Sequence, residues 1–337
     1  MEVLRGLESL PAPVAARGSV VTVGVFDGVH LGHFAVLRRV VERAAERGLG
    51  PAVVTFAAHP KELLTGHAPP TVTSLEHRLL LFRRIGLETA LVLDFGPEIR
   101  DLPAEGFVRR ILVEGLGARG LVLGFDSKFG RGREGTVKSL RPLARSLGLD
   151  LEAVGPLRLQ GRALSSTAVR EAVSLGELER AAAMLGRPVS LLGTVVRGDG
   201  RGRELGFPTA NLDLHHELKP PPGVYAALAR IRGREGLLPA AVNVGVRPTF
   251  NEGEPGVEVH LLEGGGDLYE RDLEVFFLER LRGEERFPDP EALAAQIRRD
   301  VEAARAAAAR APERWRIPGR YLPIEGPGPE SLEQEPA

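Results

Sequence analysis

The chain has 337 residues, 43% of them hydrophobic, which exceeds one ordinary core and suits two domains that each bury their own. Its 44 basic and 45 acidic residues leave a net charge of −1, so no overall field favours nucleic acid or an anionic membrane, and phosphate binding must come from particular loops. Cysteine is absent, which excludes disulfides and thiolate chemistry; with no signal-like N-terminus and no apolar run of the ~18 residues a membrane span requires, a soluble cytoplasmic protein is expected.

In chain order, the first half alternates strand and helix. Residues 19–26 form a β-branched apolar run ending in glycines, the pattern of a buried parallel strand. A helix is predicted over 33–47, a strand over 52–56, a helix over 75–85 and a strand over 90–93. The series continues with a helix at 104–112, a strand at 120–123, a helix at 139–147 and a strand at 151–154. Such alternation predicts a doubly wound, Rossmann-like α/β domain whose ligands sit at the carboxyl ends of the strands.

Two short helices, 166–173 and 177–185, lead to a break at Gly186-Arg-Pro188. Beyond it, strand-like runs at 191–196, 224–231, 238–244, 257–262 and 273–277 are spaced by Gly and Pro, which predicts an antiparallel β-barrel. An Ala-rich helix over 291–309 closes that domain, and the Pro-, Gly- and Glu-rich tail after Pro318 is expected to be disordered. The expected division is therefore 1–185, 186–317 and a tail of 318–337.

The segment Gly24-Val-Phe-Asp-Gly-Val-His-Leu-Gly-His33 lies where the first strand hands over to the first helix, so helix-start amides favour an anion there. Gly28 and Gly32 allow close backbone approach to a phosphate. His30 and His33, three apart, can face one way and offer two donors to a triphosphate, stabilising charge that develops in nucleotidyl transfer. This segment resembles the HxGH signature of the nucleotidyltransferase superfamily. In its longer form, GxFDGxHxGH, it is similar to the FMN adenylyltransferase half of bacterial bifunctional riboflavin kinase/FMN adenylyltransferases (FAD synthetases).

Further similarities follow in that family's order. Thr55-Phe-Ala-Ala-His-Pro60 is similar to its flavin-side TFxxHP motif, Gly124-Phe-Asp-Ser-Lys-Phe-Gly-Arg-Gly-Arg133 to its GxDFxFGxxR loop, and Ser165-Ser-Thr-Ala-Val-Arg170 to its SSTxIR motif. Two departures stand out: Ala57-Ala58 replaces a polar or Pro pair, and Ser127-Lys128 stands where Phe-Arg is common. The resemblance implies that Gly24, Phe26, Asp27, Gly28, His30, Gly32 and His33 bind ATP, together with Ser165, Ser166, Thr167 and Arg170. It places the flavin at Phe56, His59, Pro60, Asp126 and Phe129.

In the second half, Gly198-Asp-Gly-Arg-Gly-Arg-Glu-Leu-Gly-Phe-Pro-Thr-Ala-Asn211 joins a glycine-rich loop with two arginines to an extended segment. The loop's N–H groups can wrap a polyphosphate. Thr209 and Asn211, two apart, project oxygens to one face as partial ligands for a Mg²⁺ already bound by nucleotide phosphates. The segment resembles the riboflavin kinase signature, with its PTAN core intact as Pro208-Thr-Ala-Asn211. The matches Gly223-Val-Tyr225, Asn243-Val-Gly-Val-Arg-Pro-Thr249 and Val257-Glu-Val-His260 follow in order. The resemblance implies ATP binding by Gly198, Gly200, Gly202, Arg203, Gly206, Pro208, Thr209 and Asn211, metal binding by Thr209 and Asn211, and Glu258 as the base for the ribityl hydroxyl.

The implied activity is two-fold: the barrel phosphorylates riboflavin to FMN, releasing ADP, and the α/β domain adenylates FMN to FAD, releasing pyrophosphate. ATP with Mg²⁺ serves both steps, and flavin is substrate and product. Two alternatives remain at this level: a chain with one active domain, and a flavin-binding regulator without turnover.

Overall fold

Six parallel strands make the sheet of the N-terminal half: β1 (Glu2–Arg5), β2 (Ser19–Val23), β3 (Gly50–Phe56), β4 (Thr89–Leu93), β5 (Ala118–Gly124) and β6 (Asp150–Val154). Their spatial order is β1-β4-β3-β2-β5-β6. The chain thus runs outward from β2 in both directions, so the carboxyl end of β2 is the switch point where a crevice opens in such sheets. Every residue of β2 is buried, as a strand covered on both faces requires. This is a computed structural model, and it describes residues 1–10, 17–58, 69–198, 200–214, 218–246, 255–264, 266–312 and 332–334.

Alternate residues of these strands serve two cores. Val21, Val23, Val54, Leu91 and Leu121 pack with Phe107 and Ile111 on one face. Helix α1 (Leu31–Arg47) lies along β2, β3 and β5 and buries Val36, Leu37, Val40 and Ala44; α2 (Leu75–Ile85) packs beside it through Leu81 and Phe82. The predicted 104–112 helix is a short α-turn, Ala104–Gly106, that runs into a π-helix, Phe107–Gly115, whose wider winding a 3.6-residue period does not anticipate. Helix α3 (Val137–Leu147) starts on a capping box between Thr136 and Ser139.

A small hairpin of β7 (Leu157–Leu159) and β8 (Arg162–Ala163) precedes α4 (Ser166–Ser174) and α5 (Leu178–Leu185). The barrel is closed by six antiparallel strands, β9 (Ser190–Val196), β10 (Ala210–Leu214), β11 (Gly223–Ile231), β12 (Leu238–Val246), β13 (Pro255–Leu261) and β14 (Asp272–Arg282), ordered β10-β13-β12-β11-β14-β9. Five of these match strand-like runs in the sequence; the sixth, β10, reads there only as an extended part of a motif, because Ala-Asn-Leu-Asp-Leu offers little β-branched character. Helix α6 (Pro290–Arg310) begins at Asp289, whose carboxylate accepts from the Ala292 amide at 2.7 Å, and ends with Ala304, Ala307 and Ala308 against Ala226, Leu228 and Phe276 on the barrel's outer surface. Small residues on that face let helix and sheet approach closely.

Two compact units result: residues 1–71, 75–166 and 326–337 form one, and residues 72–74 and 167–325 the other. Part of the tail expected to be disordered is a strand. β15 (Leu332–Gln334) pairs antiparallel with β7, Leu332 opposite Leu159, a pairing too short to show as periodicity. Among the described residues no helix is long and apolar enough to cross a membrane.

Candidate active sites

At the carboxyl end of β2 the backbone turns through left-handed conformations: φ is 54° at Phe26, 78° at Gly28 and 41° at Val29. A β-branched residue at positive φ is a strained outlier of the kind that clusters at ligand sites. His30 follows as the N-cap of α1, so the helix begins at Leu31 and not at residue 33. His30 Nδ1 accepts from the His33 amide at 3.3 Å, and the two rings stack with centroids 3.7 Å apart and planes 19° from parallel. Phe26 meets His33 edge-on at 5.3 Å. A side chain at Gly32 would press on the His30 ring, which explains a glycine there.

Burial first, and then the neighbouring His30 ring and the Arg78 guanidinium, hold the His33 pKa well below the ordinary histidine range. His33 is therefore neutral at neutral pH, and its Nδ1 is buried without a partner. That atom is poised for a ligand. Asp27 and His30 are buried, and Ser166, at the start of α4, donates to the Asp27 carbonyl at 2.9 Å, tying its own end of the 165–170 motif to the loop. Thr167 and Arg170 follow on α4, in the second compact unit.

On the flavin side, His59 and Pro60 lie outside the described residues. Phe56 and Phe129 are core residues, packed against Phe95 and Phe107 respectively. Asp126 is exposed beyond β5, and the aromatic this loop presents to solvent is Phe125, 51% exposed. No sequence signal distinguished Phe125 from Phe129, because a single aromatic in a loop has no period.

In the barrel, register brings the second set of residues together. Val224, Asn243, Glu258 and Asn211 are directly opposed in one row across β11, β12, β13 and β10. Their neighbours Val242, Val244, Val257 and Val259 are buried, so this row occupies the opposite, outer face. A cavity of about 420 Å³ opens beside it, lined by Thr209, Asn211 and Glu258, by Leu293 and Ile297 of α6, and by the glycines of the loop.

The glycine-rich loop contains one helical turn, Arg201–Glu204, between Gly200 and Gly206, whose φ values are 76° and 85°. A side chain at Gly198 would collide with the Asn211 amide, so glycine there lets the loop close over Asn211. His260 Nδ1 donates to the Pro208 carbonyl at 2.8 Å and its ring meets Phe207 edge-on, which fixes the segment carrying Thr209 against β13. Arg203 and Pro208 are exposed.

An ion pair that no sequence motif marks also lines the cavity. Arg282 on β14 donates Nε and Nη2 to the Asp300 carboxylate of α6 at 2.8–3.1 Å, Gln296 donates to the same carboxylate at 2.8 Å, and the guanidinium lies over Phe287. Residues eighteen apart on different elements leave no spacing signal. Among the described residues no group of three or more His, Asp or Glu is placed to hold a metal ion.

These features define a two-domain transferase with a nucleotidyltransferase-type α/β unit and a kinase-type barrel. Residues 12–168 match the family model for FAD synthetase and residues 185–308 the one for riboflavin kinase. The chain belongs to the bifunctional riboflavin kinase/FMN adenylyltransferase family, with an N-terminal FAD synthetase domain and a C-terminal riboflavin kinase domain. A relative of that name from Pseudomonas fluorescens is 41% identical over 310 residues, 92% of this chain and 98% of its own. One from Escherichia coli K12 is 38% identical over 306 residues, 90% and 97% of the two chains. A solved structure described as a macrolide-efflux protein from Streptococcus pneumoniae shares the fold, with a TM-score of 0.76 at 29% identity over 90% of this chain and 99% of that one.

Proposed function

We propose that this chain makes FAD from riboflavin in two ATP-dependent steps, with residues 186–317 phosphorylating riboflavin and residues 1–185 adenylating FMN, in the cytoplasm. The observation that carries this reading is the row of Asn211, Glu258 and Asn243 beside a cavity of about 420 Å³ that Thr209 also lines. A flavin-binding regulator without turnover has no use for a carboxylate set among polar residues under a phosphate-type loop.

In the kinase step Glu258 orients the ribityl hydroxyl and accepts its proton as the oxygen bonds to the γ-phosphorus and the bond to ADP breaks. Gly198, Gly200, Gly202, Gly206 and Pro208 shape the loop around the polyphosphate, and Arg203 contributes charge. Thr209 and Asn211 supply two hard oxygen ligands; Mg²⁺ bound to the nucleotide would neutralise phosphate charge there. Arg282 and Asp300 anchor α6 so that Leu293 and Ile297 wall the cavity.

In the adenylyl step an FMN phosphate oxygen bonds to the α-phosphorus of ATP and pyrophosphate leaves. Gly24, Phe26, Asp27, Gly28 and Gly32 hold the loop geometry, and His30 and the neutral His33 donate to phosphate oxygens. Ser165 and Ser166 add nucleotide contacts from the same compact unit. We assign flavin contacts to Asp126, His59, Pro60 and the exposed Phe125, with Phe56 and Phe129 backing the site from the core.

The test follows the label. Riboflavin with γ-labelled ATP should give labelled FMN, and FMN with α-labelled ATP should give labelled FAD. Absence of label from both flavins would contradict the reading.

A further inference from the structure

Helix α2 inserts one cation into the α/β unit that no motif accounts for. Arg78 is 3% exposed. Its Nη1 donates to the Val25 carbonyl at 2.6 Å and to Thr55 Oγ1 at 3.0 Å, and its Nη2 donates to the Phe56 carbonyl at 3.1 Å. Thr55 Oγ1 donates in turn to the Val25 carbonyl at 3.2 Å. All these acceptors are neutral oxygens, while Nε is buried without an acceptor among the described residues. Leucine or methionine would leave no charge to desolvate, and desolvation is costly where the hydrogen-bond acceptors are neutral oxygens.

The acceptors belong to two neighbouring chain segments. Val25 belongs to the loop that leads to His30 and His33, and Thr55 and Phe56 end β3 and open the 55–60 motif. We infer that Arg78 is a positioning residue for adenylyl transfer, clamping the nucleotide loop to the flavin-side strand end and laying a buried positive charge against the loop that receives the phosphates. Burial lowers the Arg78 pKa, and Asp27 and Glu76 act in the opposite sense. The same guanidinium, after burial and His30, helps keep His33 neutral. One residue thus holds two segments of the site together and adds, after burial and His30, to what keeps His33 neutral.

The inference rests on reading the N-terminal site as the adenylyltransferase, and the test separates the two. Full-length wild type, Arg78→Met and Arg78→Lys are assayed with FMN and ATP, and the riboflavin kinase rate of the same samples serves as the control for folding. Arg78→Met should lower the turnover number for FAD roughly 10²-fold with KM for ATP and FMN within about threefold, as for loss of a transition-state contribution. Arg78→Lys, which keeps the charge but cannot hold three acceptors, should recover about tenfold of that loss.

The His33 imidazole titration, followed by NMR, should move up in Arg78→Met and stay in place in Arg78→Lys; His30, Phe26 and Asp27 are unchanged in both. A wild type that makes no FAD overturns the reading of the domain and this inference with it. A wild type that makes FAD, with Arg78→Met equal to it, overturns the inference alone. So does a loss that Lys does not recover with the His33 midpoint unmoved, the mark of mere packing. If Arg78→Met does not fold, Arg78→Lys decides: roughly fivefold or greater loss of turnover at unchanged melting temperature upholds the clamp, and unchanged turnover overturns it.

Discussion

Two side chains test the chemistry one at a time. Glu258 sits opposite Asn211 and Asn243 on the outer face of the barrel. Glu258→Gln keeps the shape but loses the base, so FMN formation should fall roughly 10²-fold or more while riboflavin binding changes far less. FMN supplied directly should still become FAD at the wild-type rate; both half-reactions failing together would mean misfolding, and neither failing would remove Glu258 from the role. His33→Ala should lower FAD formation by roughly 10²–10³-fold, as for one lost fixed donor, with FMN formation unaffected.

His33 also carries a pH signature. Its folded-state pKa lies below the ordinary 6.5, so above pH 6.5 neither state is protonated and the group is silent. As pH falls below 6.5 the unfolded chain takes up a proton that the folded chain refuses, and stability drops. Urea midpoints from pH 7.5 to 5.5 should decline more steeply for wild type than for His33→Gln; parallel curves would contradict the neutral state.

The elements that shape the kinase cavity meet at Arg282 and Asp300, whose side chains are 16% and 8% exposed. Removing one partner of a buried pair strands the other, so Asp300→Ala should cost about 3–5 kcal/mol and loosen α6 from the barrel. Calorimetry should show the transition of the barrel unit fall, and KM for riboflavin should rise because Leu293 and Ile297 lose their support. An unchanged melting profile would mean that the alanine face of α6 suffices. This pair was invisible in the sequence for the same reason that Arg78 was: each acts through partners brought near by tertiary packing. His30, His33, Thr209 and Asn211 were legible because their spacing within one short segment already fixes their mutual geometry. Long parallel strands and the last helix were legible from period; β1, β8 and β15 were too short to have one, and the π-helix follows a different winding.

At the scale of the molecule, residues 72–74 and 167–325 form one compact unit, which includes α5 and all but the first residue of α4. The turn at Gly186-Arg-Pro188 predicts a barrel starting after it; glycine and proline mark local turns and carry no information on which core a preceding helix joins. A fragment of residues 167–325 should fold alone and phosphorylate riboflavin, because it carries its own core and the whole cavity lining. A soluble, folded but inactive fragment would mean that the first unit completes the kinase site.

The most direct measurement is chromatographic analysis of the flavins formed when the pure full-length chain is incubated with riboflavin, ATP and Mg²⁺. FMN should appear first and then give way to FAD, with pyrophosphate released only in the second phase. FMN accumulating without FAD, or riboflavin bound and left unchanged, would contradict a chain with two working sites.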